Sequence, residues 1–183
     1  MTFLRLLLIA IVPIALAFTA PSTASAQKNT TGKKTELRWT SLETAIKNAA
    51  DQDKPVLVDV YTDWCGWCKK MDREVFNDPE VSGTLDELFT LAKVNGESRE
   101  SITYKNRKTD GVGIAQDFGI RGYHSLIFLD SRGDMLTLIP GFVDAEKFLP
   151  IVMFLGNKDY EKMEWEAYLA EYNAARKSSS APK

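Results

Sequence analysis

The sequence predicts an α/β fold of three layers, with a mixed central sheet of about four to five strands flanked by helices and one helix added at the C-terminal end. Three observations carry this reading. Apolar, β-branched runs at 55–61, 89–94 and 125–129 suit strands in a sheet, and the first suits a strand buried on both faces. These runs alternate with helical periodicities, which implies parallel neighbours. Late in the chain the turn Asp130-Ser131-Arg132-Gly133 returns it as 135–139, adding an antiparallel strand.

Each element has its own signal. Arg5, the apolar run Leu6 to Ala20 and the small residues Ala24-Ser25-Ala26 describe a secretory signal peptide over 1–26. As a membrane anchor the run falls short of the ~20 residues needed to span a bilayer, and Pro13 interrupts it. The chain is therefore expected in the periplasm after cleavage, with a disordered leader at 27–36. Thr40 and Glu43 form a candidate capping box before Leu42, Ala45, Ile46 and Ala49, a helix ending near Asp51. After the first strand, Cys68, Met71 and Val75 share one helical face. Asp78-Pro79 opens a further helix carrying Val81, Leu85 and Leu88. The segment 95–108 is polar without clear period and reads as a long loop, and 114–118 as a short helix. Asp144 caps a helix with Phe148, Ile151, Val152 and Leu155, closing a domain at 37–156. Trp165, Tyr168, Leu169 and Tyr172 then space an amphipathic helix within 157–174, before a flexible tail at 175–183.

A net charge of -2 leaves no basic excess for nucleic acid, and a monomer is expected. The 183 residues hold two cysteines, Cys65 and Cys68. A disulfide between them closes a very short loop and makes a poor staple, because loop-closure stabilisation grows with loop length. As a redox pair they are better placed. At the start of a helix, residues i and i+3 lie on one side of the first turn, and the helix N-terminus favours the thiolate of the first. Cys65 is then expected to be the exposed nucleophile, and Cys68 the resolving thiol. Gly66 and Trp67 between them would tune the potential. Trp64 and Trp67 offer an apolar rim for a flexible peptide. Half a zinc site is the competing reading, though tetrahedral zinc wants four ligands and no second cysteine pair exists.

Asp59 is the anomaly of its strand. A carboxylate there is costly unless neutral or functional, and it lies six residues before Cys65. Folded back beneath the sulfurs, it could take and return the proton of Cys68.

The segments Val56-Leu57-Val58-Asp59 and Trp64-Cys65-Gly66-Trp67-Cys68-Lys69 resemble the active-site region of thioredoxins. Leu91-Ala92-Lys93-Val94-Asn95 is similar to the next thioredoxin strand, and that resemblance implies Lys93 lies near the buried aspartate. Phe118-Gly119-Ile120-Arg121-Gly122-Tyr123 resembles the approach to the substrate-binding loop, which implies a substrate role for Tyr123 and His124. Val75-Phe76-Asn77-Asp78-Pro79-Glu80-Val81 and Gly141-Phe142-Val143-Asp144-Ala145-Glu146 resemble exported thioredoxin-like proteins, including the C-terminal domain of DsbD. What this implies is a thiol–disulfide oxidoreductase without cofactor, acting on disulfides of exported proteins and supplied with electrons by a DsbD-like membrane reductant. One position departs from the family: His124 stands where thioredoxins carry a cis-proline. A cis bond before a non-proline costs ~2.5–4 kcal/mol, so a trans peptide is expected. His124 has three readings: a cation favouring the Cys65 thiolate, a metal ligand completing a site with Cys65 and Cys68, or a solvent-facing loop residue.

Overall fold

In the computed structural model residues 35–180 are described. The expected signal peptide, leader residues 27–34 and residues 181–183 lie outside them. The described chain runs β1 (Trp39–Thr40), α1 (Leu42–Gln52), β2 (Val56–Tyr61), α2 (Gly66–Glu74), α3 (Pro79–Leu88) and β3 (Thr90–Asn95). It continues through β4 (Ile102–Tyr104), β5 (Arg107–Thr109), α4 (Gly111–Asp117), β6 (Ser125–Leu129), β7 (Met135–Pro140) and α5 (Ala145–Gly156). A single 3₁₀ turn (Asp159–Glu161) and α6 (Trp165–Ser180) follow.

Five strands form the central sheet in the order β1-β3-β2-β6-β7, with β4 and β5 as a separate ribbon. β1 and β2 each pair parallel with β3, while β2–β6 and β6–β7 are antiparallel. Strand period two divides the side chains between two cores. Val56, Val58 and Val60 of β2 join Ala92, Val94, Ile127 and Leu129 against α1 and α4. Leu57, Leu91, Leu126 and Phe128 turn the other way, against α2, α3 and α5. Burial on both faces explains why β2 and β6 are apolar throughout except where chemistry intrudes. By the same alternation Asp59 and Lys93 belong to the face of Leu57 and Leu91, where α2 packs.

Three local expectations are corrected. The cap of α1 is Ser41, whose Oγ accepts from Thr44 N. Thr40 lies instead in β1 and donates to Leu91 O at 2.9 Å, while the Glu43 carboxylate accepts from Thr103 N, so the capping box does not form. The segment read as a long loop contains the β4–β5 hairpin, turned by Lys105 and Asn106 at φ 49° and 60°. Strands of three residues are too short to display a period, and what holds this one is Tyr104, buried against Phe118 with its hydroxyl donating to Gly133 O at 2.8 Å. Finally, α6 extends to Ser180, beyond the stretch in which helix was expected.

Candidate functional site

The turn after β2 delivers Cys65 to the start of α2. Cys65 N donates to Thr62 O at 3.1 Å, and Cys65 is itself the N-cap, its Sγ accepting from Cys68 N at 3.1 Å. Cys65 and Cys68 are joined in a disulfide across this first turn, their Cα atoms 5.3 Å apart. Helix geometry does the work, because a residue and its neighbour three ahead present their side chains on one side of the turn. The Cβ position of Gly66 meets nothing within 4 Å, so the turn leaves that side open. Contrary to the sequence reading, Cys65 is not exposed: it and Cys68 show only 2% and 3% of their surface in this oxidised form. In this form the Cys65 sulfur is bonded to Cys68 and accepts from Cys68 N at the helix end.

Around the disulfide the rim is aromatic. Trp64 and Trp67 are 66% and 56% exposed, far beyond what large apolar rings adopt in a core. Trp64 is fixed by its indole N–H, which donates to Glu97 Oε2 at 2.9 Å, and by an edge contact with Tyr123 at 5.9 Å. Tyr123 is anchored in turn by its hydroxyl, donating to Gly96 O at 2.9 Å. Gly96 is required there, since a Cβ would sit 2.4 Å from the Tyr123 ring. Trp67 packs on Phe142 at 5.7 Å, with the Lys70 ammonium 5.1 Å from the first ring and 4.5 Å from the second.

Within the Leu57 face lies a charged cluster. Asp59 is 1% exposed, and Lys93 Nζ stands 3.2 Å from its Oδ2. The same Nζ is 2.6 Å from Asp72 Oδ1, so Lys93 ties β2 and β3 to α2. Burial pulls the Lys93 ammonium down, but the carboxylates of Asp59 and Asp72 outweigh it and hold its pKa above the ordinary lysine value. His124 is also 1% exposed, and its Nδ1 lies 3.4 Å from Asp59 Oδ1. The solvent-facing reading of His124 is thereby corrected. So is the expected trans peptide, for the Tyr123–His124 bond is cis. Hydrogen bonds on either side hold this loop: Ser125 Oγ donates to Gly122 O and Gly141 N to His124 O, both at 2.9 Å.

The structure thus gathers Asp59, Lys93 and His124 into one cluster beside α2, and Trp64, Trp67 and Tyr123 onto the outer rim. Asp72, Glu97, Lys70 and Phe142 were missed in the sequence. Asp72 could have been found, standing four residues after Cys68 on the same helical face. Glu97 lies in the aperiodic stretch and gave no signal. Among the described residues there is no group of three His, Cys, Asp or Glu side chains that could hold a metal ion.

A family model described as a thioredoxin-like domain matches residues 42–156. The thiol:disulfide interchange protein DsbD of Yersinia pestis (strain Pestoides F) is 33% identical over 104 residues, which are 55% of this chain and 16% of DsbD. The DsbD of Escherichia coli (strain K12) is 29% identical over 139 residues, 72% of this chain and 22% of the relative. The chain therefore spans about a fifth or less of the length of these relatives. Among solved structures, a putative disulphide-isomerase from Bacteroides thetaiotaomicron superposes with a TM-score of 0.55 at 28% identity, covering 73% of this chain and 98% of that one. A DsbH oxidoreductase shares the fold with a TM-score of 0.56 at 17% identity, over 68% and 87% of the two chains. With its five-stranded sheet, its disulfide at the mouth of α2 and a family match across nearly all of the sheet and α1–α5, this chain belongs to the thioredoxin-like family.

Proposed function

We propose that the protein is a periplasmic thiol–disulfide oxidoreductase that reduces or reshuffles disulfides in exported proteins through its Cys-Gly-Trp-Cys pair. The observation that carries this reading is the disulfide at the N-terminus of α2, with Cys65 as the cap and Cys68 one turn inside. In the reduced protein the N–H groups of that turn favour the Cys65 thiolate. Cys65 attacks a substrate disulfide, releasing one substrate thiolate and forming a mixed disulfide. Cys68 loses its proton to Asp59, attacks the Cys65 sulfur and releases the second substrate thiolate, leaving Cys65–Cys68 oxidised. A DsbD-like membrane reductant would restore the dithiol. The exposed rings of Trp64 and Trp67, with Tyr123 and Phe142 beside them, would seat an extended or unfolded peptide.

Insulin reduction by dithiothreitol tests the activity. The wild-type protein should accelerate it, Cys65→Ser should abolish the acceleration, and Cys68→Ser should accumulate mixed disulfides with the substrate. A wild-type protein no faster than dithiothreitol alone would overturn the proposal. No observation favours the alternative of a metal or iron–sulfur module on Cys65, Cys68 and His124, since the two sulfurs are bonded to each other and His124 turns Nδ1 to Asp59.

A further inference from the structure

Asp59 sits in a strand whose other inward residues are apolar, and a carboxylate taken out of water must have its charge met. Lys93 meets only part of it. One ammonium faces two carboxylates, and it is closer to Asp72 at 2.6 Å than to Asp59 at 3.2 Å. Lys93 addresses Asp59 Oδ2, whereas Oδ1 faces His124 Nδ1 at 3.4 Å. Both carboxylate oxygens and both imidazole nitrogens are buried and make no hydrogen bond in the oxidised protein. Asp72 is 46% exposed and met in part by water, whereas Asp59 is not, so with His124 neutral an ionised Asp59 has only a shared ammonium against its charge. A proton on either member of the Asp59–His124 pair removes or offsets that charge. The other titratable groups tied to the pair are Lys93 on β3, Asp72 of α2 on the same ammonium, and Tyr61 on β2, whose ring lies 5.6 Å from Lys93 Nζ.

We propose that Asp59 and His124 hold one proton between them, and that this pair, rather than Asp59 alone, is the proton store of the Cys65–Cys68 couple. The proposal deepens the oxidoreductase reading and rests on it for the redox step. In that step a thiolate of a dithiol reductant attacks Cys65 Sγ, the Cys65–Cys68 bond breaks, and its electron pair passes to Cys68 Sγ. The pair gives its proton to that sulfur. The reductant's second thiolate then attacks its own sulfur in the mixed disulfide, leaving as a disulfide and releasing Cys65 as a thiolate. The pair then equilibrates with solvent, and takes the Cys68 proton when that thiol next attacks a mixed disulfide with substrate. His124 is a positioning residue here, acting on the cysteines through Asp59. Coupling between sites is reciprocal: if a sulfur anion raises the proton affinity of His124, protonating His124 favours the dithiol by the same factor.

His124 is the one histidine of the chain, so its imidazole resonances identify themselves in NMR spectra of the purified protein. Titration from roughly pH 5 to 8 in the disulfide and dithiol forms reads the pair directly. The expected result is a proton affinity about threefold or more higher in the dithiol form, falling in both forms when Asp59→Asn removes the carboxylate. The redox equilibrium with glutathione should show the matching change, about threefold toward the dithiol as pH falls through that titration, and His124→Gln should lack it. Identical imidazole titrations in the two redox forms would overturn the proposal, whether or not the variant folds. So would superimposable glutathione profiles for wild-type and His124→Gln proteins. A redox-dependent titration in a protein that fails to reduce insulin would support the proton pair and overturn the oxidoreductase reading instead.

Discussion

At the scale of single residues, Lys93 shows how one cation can serve two masters. Its pKa is raised because two carboxylates outweigh its burial, so the sign of its contribution follows. A group raised on folding stabilises fully below its ordinary value and loses that contribution as pH rises through the raised one. Lys93→Met should therefore cost about 2–3 kcal/mol near neutral pH, since it strands a buried carboxylate. The gap to wild type should shrink as pH climbs past the ordinary lysine value of 10.5, and thermal unfolding along an alkaline pH series measures it. On the outer rim, Trp67 touches Phe142 and Lys70 rather than the core. Trp67→Ala should leave stability nearly unchanged and raise KM for a peptide disulfide by about three- to tenfold, with little effect on a small disulfide reagent.

Among the elements, α6 is held by aromatic rings rather than by backbone pairing. Phe154 on α5 receives Tyr168 at 4.9 Å and Trp165 at 5.3 Å, and Tyr168 stacks at 6.2 Å on Tyr172. Burial of the Tyr168 phenol pushes its pKa up from 10.0 to about 12. The unfolded phenol ionises first, so the contribution of this contact is present below the ordinary value and lost as pH rises toward the raised one. Between those values α6 should loosen from α5, seen in near-ultraviolet circular dichroism, and Tyr168→Phe should abolish that transition. The end of α5 shows the opposite economy. A Cβ on Gly156 would meet Leu88 Cδ1 at 2.7 Å and Phe89 Cε2 at 2.9 Å. Gly156→Ala should accordingly destabilise by about 1–3 kcal/mol in denaturant unfolding, as overpacking does elsewhere.

For the molecule as a whole, the disulfide contributes little that the two cores do not already supply. A bridge across so short a loop constrains the unfolded chain by only about 2 kcal/mol. The double variant Cys65→Ala/Cys68→Ala should keep its fold with a loss no larger than about that amount. A much greater loss in equilibrium unfolding would mean that the pair is a structural staple. The cores explain the expectation: each face of the β3-β2-β6 sheet is covered by helices independently of the sulfurs.

By itself the sequence determined the elements with strong local signals. The apolar run of β2, the Asp78-Pro79 start of α3 and the spacing of Cys65 and Cys68 are visible because each depends on neighbours within one turn or one strand. Two-residue β1 and three-residue β4 and β5 were invisible, since pairing across the chain, not periodicity, makes them strands. The site divides the same way. The sequence marked Asp59 as a charge out of place and, through the family resemblance, set Lys93 near it; the sheet register pairs the two. The loop before β6, tied to Gly141, alone turned His124 inward onto its second oxygen. A buried charge is legible as an anomaly in one segment. Its partners come from strands and loops distant in sequence, so local pattern does not name them, and His124 and Asp72 were placed in the cluster only by the tertiary structure.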